Sequence, residues 1–220
     1  MSDIPSRPPR TIWVGFCLFF TLLALAFLLW AVHAARMTKQ PKLKVIGPVA
    51  PFNLTNQDSQ STSLADFTNR VWVADIVFTR CAGPCPRMTG QMKQLQDALP
   101  KDSLARLVTL TTDPEYDTPE VLKRYGQRFG ADFNRWTFLT GTMYEIGLLA
   151  ANSLKLSAQP VRLEDQKDAA DLFIHTTIFV VVDKQGQLRG FFETAGDSVD
   201  WTNTVLPQII KSVRQLEREP

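Results

Sequence analysis

From Trp13 to Val32 the chain carries no charged side chain. Coiled as an α-helix, about twenty residues span roughly 30 Å, the thickness of a bilayer's hydrocarbon core. The stretch therefore predicts a transmembrane anchor over 13–35, behind an N-terminal tail of residues 1–12. A cleaved signal peptide is the competing reading, because Val32-His33-Ala34 offers small residues for cleavage, but a signal core is usually only about 7–15 residues long. Around this stretch the charge is lopsided. Within residues 1–44 six basic side chains face Asp3 alone, a balance of +5, which leaves −3 for the remainder of a chain whose formal charge is +2. Basic flanks around an apolar run suit lipid headgroups, and the mildly acidic body offers no basic face to nucleic acid. Charge leaves the orientation open. More Lys and Arg follow the span than precede it, which taken literally puts the C-terminus in the cytoplasm. A short tail with Arg7 and Arg10 ahead of a large C-terminal domain suits the opposite.

Residues 36–50, with Pro41, Gly47, Pro48 and several lysines, read as a linker, and 51–217 as one folded domain. The hydrophobic content of 45% supplies a core for it and excludes a disordered chain. An edge hairpin is expected over 52–63. The apolar, β-branched run 71–78 reads as a buried strand, 104–111 as a second and 136–139 as a third. Helices are expected from Pro86 to Leu99, from Thr118-Pro119 to Phe129, and from a Thr142 cap to Leu154. After a polar excursion over 157–171, a hairpin turns over Asp183-Lys184-Gln185-Gly186, and a closing helix runs over 199–216. Trp72, Trp136, Trp201 and Met143 are expected to pack inside.

Strands alternating with helices and then a hairpin imply an α/β fold, a mixed central sheet with helices on both faces, as in a thioredoxin-like fold. In such sheets, sites lie at the carboxyl ends of the parallel strands. Cys81 follows the end of the 71–78 strand, and His175 precedes a strand expected to run antiparallel to it. Topology alone thus brings residues far apart in sequence to one rim.

Of three cysteines, Cys17 sits inside the apolar span, where a lone thiol is a small filler. Cys81-Ala82-Gly83-Pro84-Cys85-Pro86 straddles a strand-to-helix turn instead. It places both sulfurs near a helix N-terminus, whose partial positive charge favours thiolate. A structural disulfide or two inert thiols is the duller alternative. Two thiolates and the His175 imidazole form a three-ligand set suited to Cu(I), with an open position through which Cu(II) gains an oxygen donor. Zinc ordinarily takes a fourth protein ligand. His33 lies beside the span, so His175 stands alone in the domain.

Several pieces together resemble the Sco/SenC family: Phe78-Thr79-Arg80-Cys81, Cys85-Pro86, the run Asp113-Pro114-Glu115-Tyr116-Asp117-Thr118-Pro119, Leu139-Thr140-Gly141, and a distal His175. The likeness covers about residues 48–195. It implies a single-span protein with a cytoplasmic N-terminus and a domain in the periplasm or intermembrane space. It further implies copper bound by Cys81, Cys85 and His175, and assembly of the binuclear copper site of cytochrome c oxidase. Partners would be that oxidase's copper-site subunit, or another copper chaperone, and the lipid bilayer. Ala82 departs from the family's usual Pro and Ile174 from its usual Asp, which leaves Asp171 or Asp113 to orient the imidazole. Asp113-Pro114 is expected to form a turn, with Asp117 or Thr118 capping the next helix.

Asp75 is a carboxylate in an apolar strand, costly unless paired or protonated. Arg70 or a lysine is one expected partner. The residue also lies six positions before Cys81, like the buried acid of thioredoxins, which that likeness casts as a proton acceptor. This supports a rival function, thiol-disulfide exchange through Cys81 and Cys85. His175 separates the two functions, because exchange needs only the dithiol, and thioredoxin-like reductases usually carry a cis-proline where this chain has Ile174-His175-Thr176. A peroxiredoxin fits less well, since Thr79 stands two residues before Cys81 where that family uses three.

Overall fold

The structure is a computed structural model describing residues 10–38, 42–156, 159–160, 173–174 and 177–219. It separates into two compact units, Met1–Lys42 and Leu43–Pro220. In the first, helix α1 runs over Arg10–Thr38 and covers the whole of the 13–35 segment. Its described apolar side chains, among them Phe19, Leu22, Phe27 and Trp30, are exposed. Among the described residues no helix is long and apolar enough to cross a membrane; the side chains of α1 are described without a break only from Leu18 to Ala31.

The second unit is built on an eight-stranded sheet in the order β1-β10-β9-β4-β5-β6-β2-β3. Its centre is parallel: β4 (Trp72–Val77), β5 (Arg106–Thr111) and β6 (Trp136–Thr140) pair with Val73 opposite Leu107 and Leu107 opposite Trp136. β9 (Ile178–Val182) runs antiparallel beside β4, with Ala74 opposite Val180. β10 (Gln187–Glu193) and β1 (Gly47–Pro48) complete that side. The hairpin of β2 (Asn53–Asn56) and β3 (Ser61–Ser63) forms the other edge, as expected from 52–63. Two-residue strands β7 (Gln159–Pro160) and β8 (Phe173–Ile174) form a separate ladder.

Alternation along β4 sends Trp72, Ala74 and Ile76 into one core and Val73 and Val77 into the other. The second core packs under α2 (Cys85–Ala98), α3 (Pro119–Arg128) and α5 (Leu206–Arg218), and it includes Cys81 and Cys85. The first is covered by α4 (Met143–Gly147) and its wider-coiled extension Leu148–Ser153. Helices thus lie on both faces of a mixed sheet, the thioredoxin-like arrangement expected from the element order. By the same alternation Asp75 faces the core that holds the cysteines.

Some expectations are corrected. The compact unit begins at Leu43, ahead of Pro51, because β1 pairs with β10 and Val49 is buried. A single Arg189 guanidinium fastens this start. It donates to the Leu43 carbonyl (2.6 Å from Nη2), to Asp183 (2.6 Å) and to Glu219 (2.9 Å), joining the first and last parts of the unit. Met143 does not pack inside but is 45% exposed, since α4 is only a short turn capped by Thr142. Trp201 is half-buried at the edge of the core, its indole N–H bonded to Gln94 Oε1 at 2.6 Å. The closing helix opens with a wide turn, Trp201–Val205, before α5.

Candidate metal and dithiol site

Beyond β4 the chain turns at Phe78, whose carbonyl accepts from Cys81 N–H at 3.2 Å. Helix α2 starts at Cys85, with Pro84 at its N-cap and Pro86 in its first turn, where no intrahelical N–H is needed. Both cysteines are buried and neither is in a disulfide. Gly83 N–H donates to Cys81 Sγ at 3.3 Å. Burial, above all, pushes the Cys85 thiol well above its ordinary pKa, and its hydrogen bond with Cys81 adds to the rise. The thiolate preference expected from the helix end is thereby corrected for Cys85: desolvation outweighs the partial charge of the helix terminus. Such a thiol keeps its proton until a metal ion or a disulfide partner replaces it.

Two carboxylates of the 113–119 segment hold the cysteine turn. Asp117 is buried and accepts from Thr79 N–H at 3.0 Å, from the Thr79 hydroxyl and from the Thr111 hydroxyl at 2.5 Å. Burial raises its pKa, against the pull of these donors. Asp113 takes the Arg80 guanidinium at 2.5 Å, and its N–H donates to Thr111 Oγ1 at 2.9 Å. Helix α3 is capped by Thr118, which accepts from Val121 N–H, so Asp117 turns inward instead. The inward roles of Asp117, Thr111 and Arg80 escaped the sequence reading. The signal available was a second aspartate four residues after Asp113, more than a turn and a cap require.

Asp75 is fully buried. It accepts from the Thr109 hydroxyl at 2.7 Å, and that same oxygen accepts from Trp136 Nε1 at 2.9 Å. Its other carboxylate oxygen has no partner among the described residues, so the expected pairing with Arg70 does not form and no described lysine takes its place. Burial lifts the Asp75 pKa to about 7, against the weaker pull of the Thr109 hydroxyl and a backbone hydrogen bond. Nearby, the hydroxyls of Thr89 and Tyr125 lie 2.8 Å apart, and Thr89 also donates to the Cys85 carbonyl at 2.9 Å, bracing the first turn of α2.

His175 and Asp171 lie outside the described residues. Among the described residues no three of His, Cys, Asp and Glu gather as a metal site. The flanking chain is described: β8 ends at Ile174 and β9 starts at Ile178. Since Ala74 pairs with Val180 and the strands run oppositely, β9 begins at the rim from which β4 leads toward Cys81.

A thioredoxin-like sheet whose parallel strand hands a C-x₃-C pair to a helix N-terminus defines a thioredoxin-like dithiol protein. The sequence pattern of the SCO1/SenC family matches residues 41–209, and the chain belongs to that family. It is 35% identical over 142 residues to the SCO1 protein homolog of Bacillus subtilis, covering 64% of this chain and 70% of that one. A Stutzerimonas stutzeri protein named for a proposed copper-binding role is 30% identical, over 76% of this chain and 78% of its own. Among solved structures, BsSco, described with a disulfide switch and as a member of the Sco family of cytochrome c oxidase assembly proteins, matches with a TM-score of 0.66. It is 30% identical over 81% of this chain and 98% of that one.

Proposed function

We propose that the protein is a membrane-anchored copper carrier. Cys81, Cys85 and His175 bind one Cu(I), with Cu(II) held when an oxygen donor joins them, and the cargo goes to the binuclear copper site of cytochrome c oxidase. The observation that carries this reading is the pair of free thiols, closed off from solvent in one turn at the rim where β9 begins. Soft thiol donors with an imidazole favour Cu(I) over harder divalent ions. The copper-binding name of the Stutzerimonas relative and the oxidase-assembly role of BsSco support the same cargo and client. The uncharged stretch 13–32 supports an anchor, with the N-terminus cytoplasmic and the domain in the periplasm or intermembrane space.

The test is titration of the detergent-solubilised full chain with Cu(I) against a competing chelator. One ion per chain is expected, with affinity reduced about 100-fold or more in His175→Ala and binding abolished in Cys81→Ser. Wild-type affinity in His175→Ala would overturn the three-ligand set. A second reading, thiol-disulfide exchange with a partner protein, is favoured by Asp75, an acid with a pKa near neutrality and no charged partner among the described residues, in the core that holds the dithiol. It predicts that His175→Ala still reduces a partner disulfide while Asp75→Asn slows that step.

A further inference from the structure

On the outer side of the cysteine turn lies an open cleft of about 280 Å³, walled by Thr79, Arg80, Tyr116, Arg124 and Arg128. Three guanidinium groups therefore face one cleft in a body whose charge outside residues 1–44 is −3. Their counter-ions leave them available. Arg80 stacks 4.2 Å over the Tyr116 ring and is 41% exposed, while Asp113 grips it from the buried side. Among the described residues Arg124 pairs with Glu120 alone, and both side chains are largely in solvent, an arrangement of little worth. Arg128 lies 5.2 Å over Tyr125 and 5.3 Å over Phe129, and no carboxylate pairs with it among the described residues. Arginine held against aromatic rings with its edge free is suited to taking carboxylates at a protein interface.

We infer that this cleft docks an acidic segment of the protein that receives the copper. The inference rests on the copper-carrier reading. An arginine-lined rim beside the cysteine turn is complementary in charge to carboxylates on the surface of a protein that approaches the dithiol to take the metal. Arg80 connects docking to the site, because it directly precedes Cys81 and is tied through Asp113 to the segment that holds the turn.

The test measures the rate at which the copper-loaded full chain passes its metal to the isolated copper-site domain of the same organism's cytochrome c oxidase, at about 20 and 300 mM salt. For the wild type, salt is expected to slow transfer about tenfold by screening. The variant R124E/R128E should transfer about tenfold more slowly at low salt and lose most of the salt dependence, with Cu(I) affinity unchanged; R124Q/R128Q should fall between. R214E/R218E changes the charge by the same amount on exposed positions of α5 and should transfer like the wild type. Wild-type rates and salt dependence in both α3 variants would overturn the inference, as would equal slowing by R214E/R218E, which would make the effect one of net charge alone. A wild type that binds copper yet transfers none to this domain would instead defeat the client assigned above, and the docking inference with it.

Discussion

Two buried aspartates in one sheet are treated in opposite ways. At the far end from the cysteines, Asp183 is surrounded by donors: Arg189 Nη1 at 2.6 Å on one oxygen, and the N–H groups of Gln185 and Gln187 at 3.0 and 2.8 Å on the other. In the middle of β4, Asp75 has one hydroxyl on one oxygen and nothing on the other among the described residues. The domain can build a fully compensated buried charge, and it does so where its chain begins and ends. In the core that holds Cys81 and Cys85 it leaves an acid without a countercharge among the described residues. The first arrangement serves the fold alone. The second carries a cost in stability that the fold does not need, and such uncompensated groups concentrate where chemistry is done.

The contrast is broken most severely by Arg189→Ala. Removing the guanidinium strands Asp183, Glu219 and the Leu43 carbonyl together, and about 3–5 kcal/mol of unfolding free energy should be lost in a denaturant titration. The tie between Leu43 and the C-terminal turn should loosen with it, seen as faster amide exchange around residues 43–49. A loss under about 1 kcal/mol would mean that Asp183 is held by its backbone donors alone.

A somewhat smaller effect follows from Asp75, through pH. Its folded pKa of about 7 stands above the ordinary value of 3.8, so the unfolded chain gives up its proton first. Between those values the folded state holds a proton the unfolded state lacks, and stability falls as pH rises, levelling off above pH 7. The difference of about three units corresponds to roughly 4 kcal/mol in all, of which about 2–3 fall between pH 5 and 7. Asp75→Asn should remove this slope, leaving the variant more stable than the wild type at pH 8. Parallel stability curves for the two proteins would show that Asp75 is ionised in the folded state.

Much of this was legible in residue order. The buried strands announce themselves as apolar runs, 71–78 and 104–111, and the cysteine turn follows from a C-x₃-C pair closed by Pro86. The depth of Asp75 could be read from its apolar neighbours, but not its lack of a partner, because Thr109 reaches it only through the parallel register of β4 with β5. The inward turn of Asp117 was hidden for a similar reason: its donors, Thr79 and Thr111, come from the ends of two different strands. The role of Arg189 is not written locally, since nothing near it in sequence reveals that Leu43 and Glu219 converge on it. Local chemistry is written along the chain, whereas compensation between distant charges is set by which strands become neighbours.

The smallest effects lie at Thr109, and they sharpen the comparison most. Its hydroxyl donates to Asp75 and accepts from Trp136 Nε1, so one oxygen satisfies two buried groups. Thr109→Val keeps the shape and removes both bonds, and a loss of about 1–2 kcal/mol is expected at pH 5. That hydrogen bond also holds the Asp75 pKa down, so without it the fall of stability with pH should extend to higher pH. Thr109→Ser keeps the hydroxyl and loses only a methyl group, costing about 1 kcal/mol with the pH at which the curve levels left in place. If Val and Ser gave the same levelling point, the threonine would be a packing residue, and burial alone would set the ionisation of Asp75.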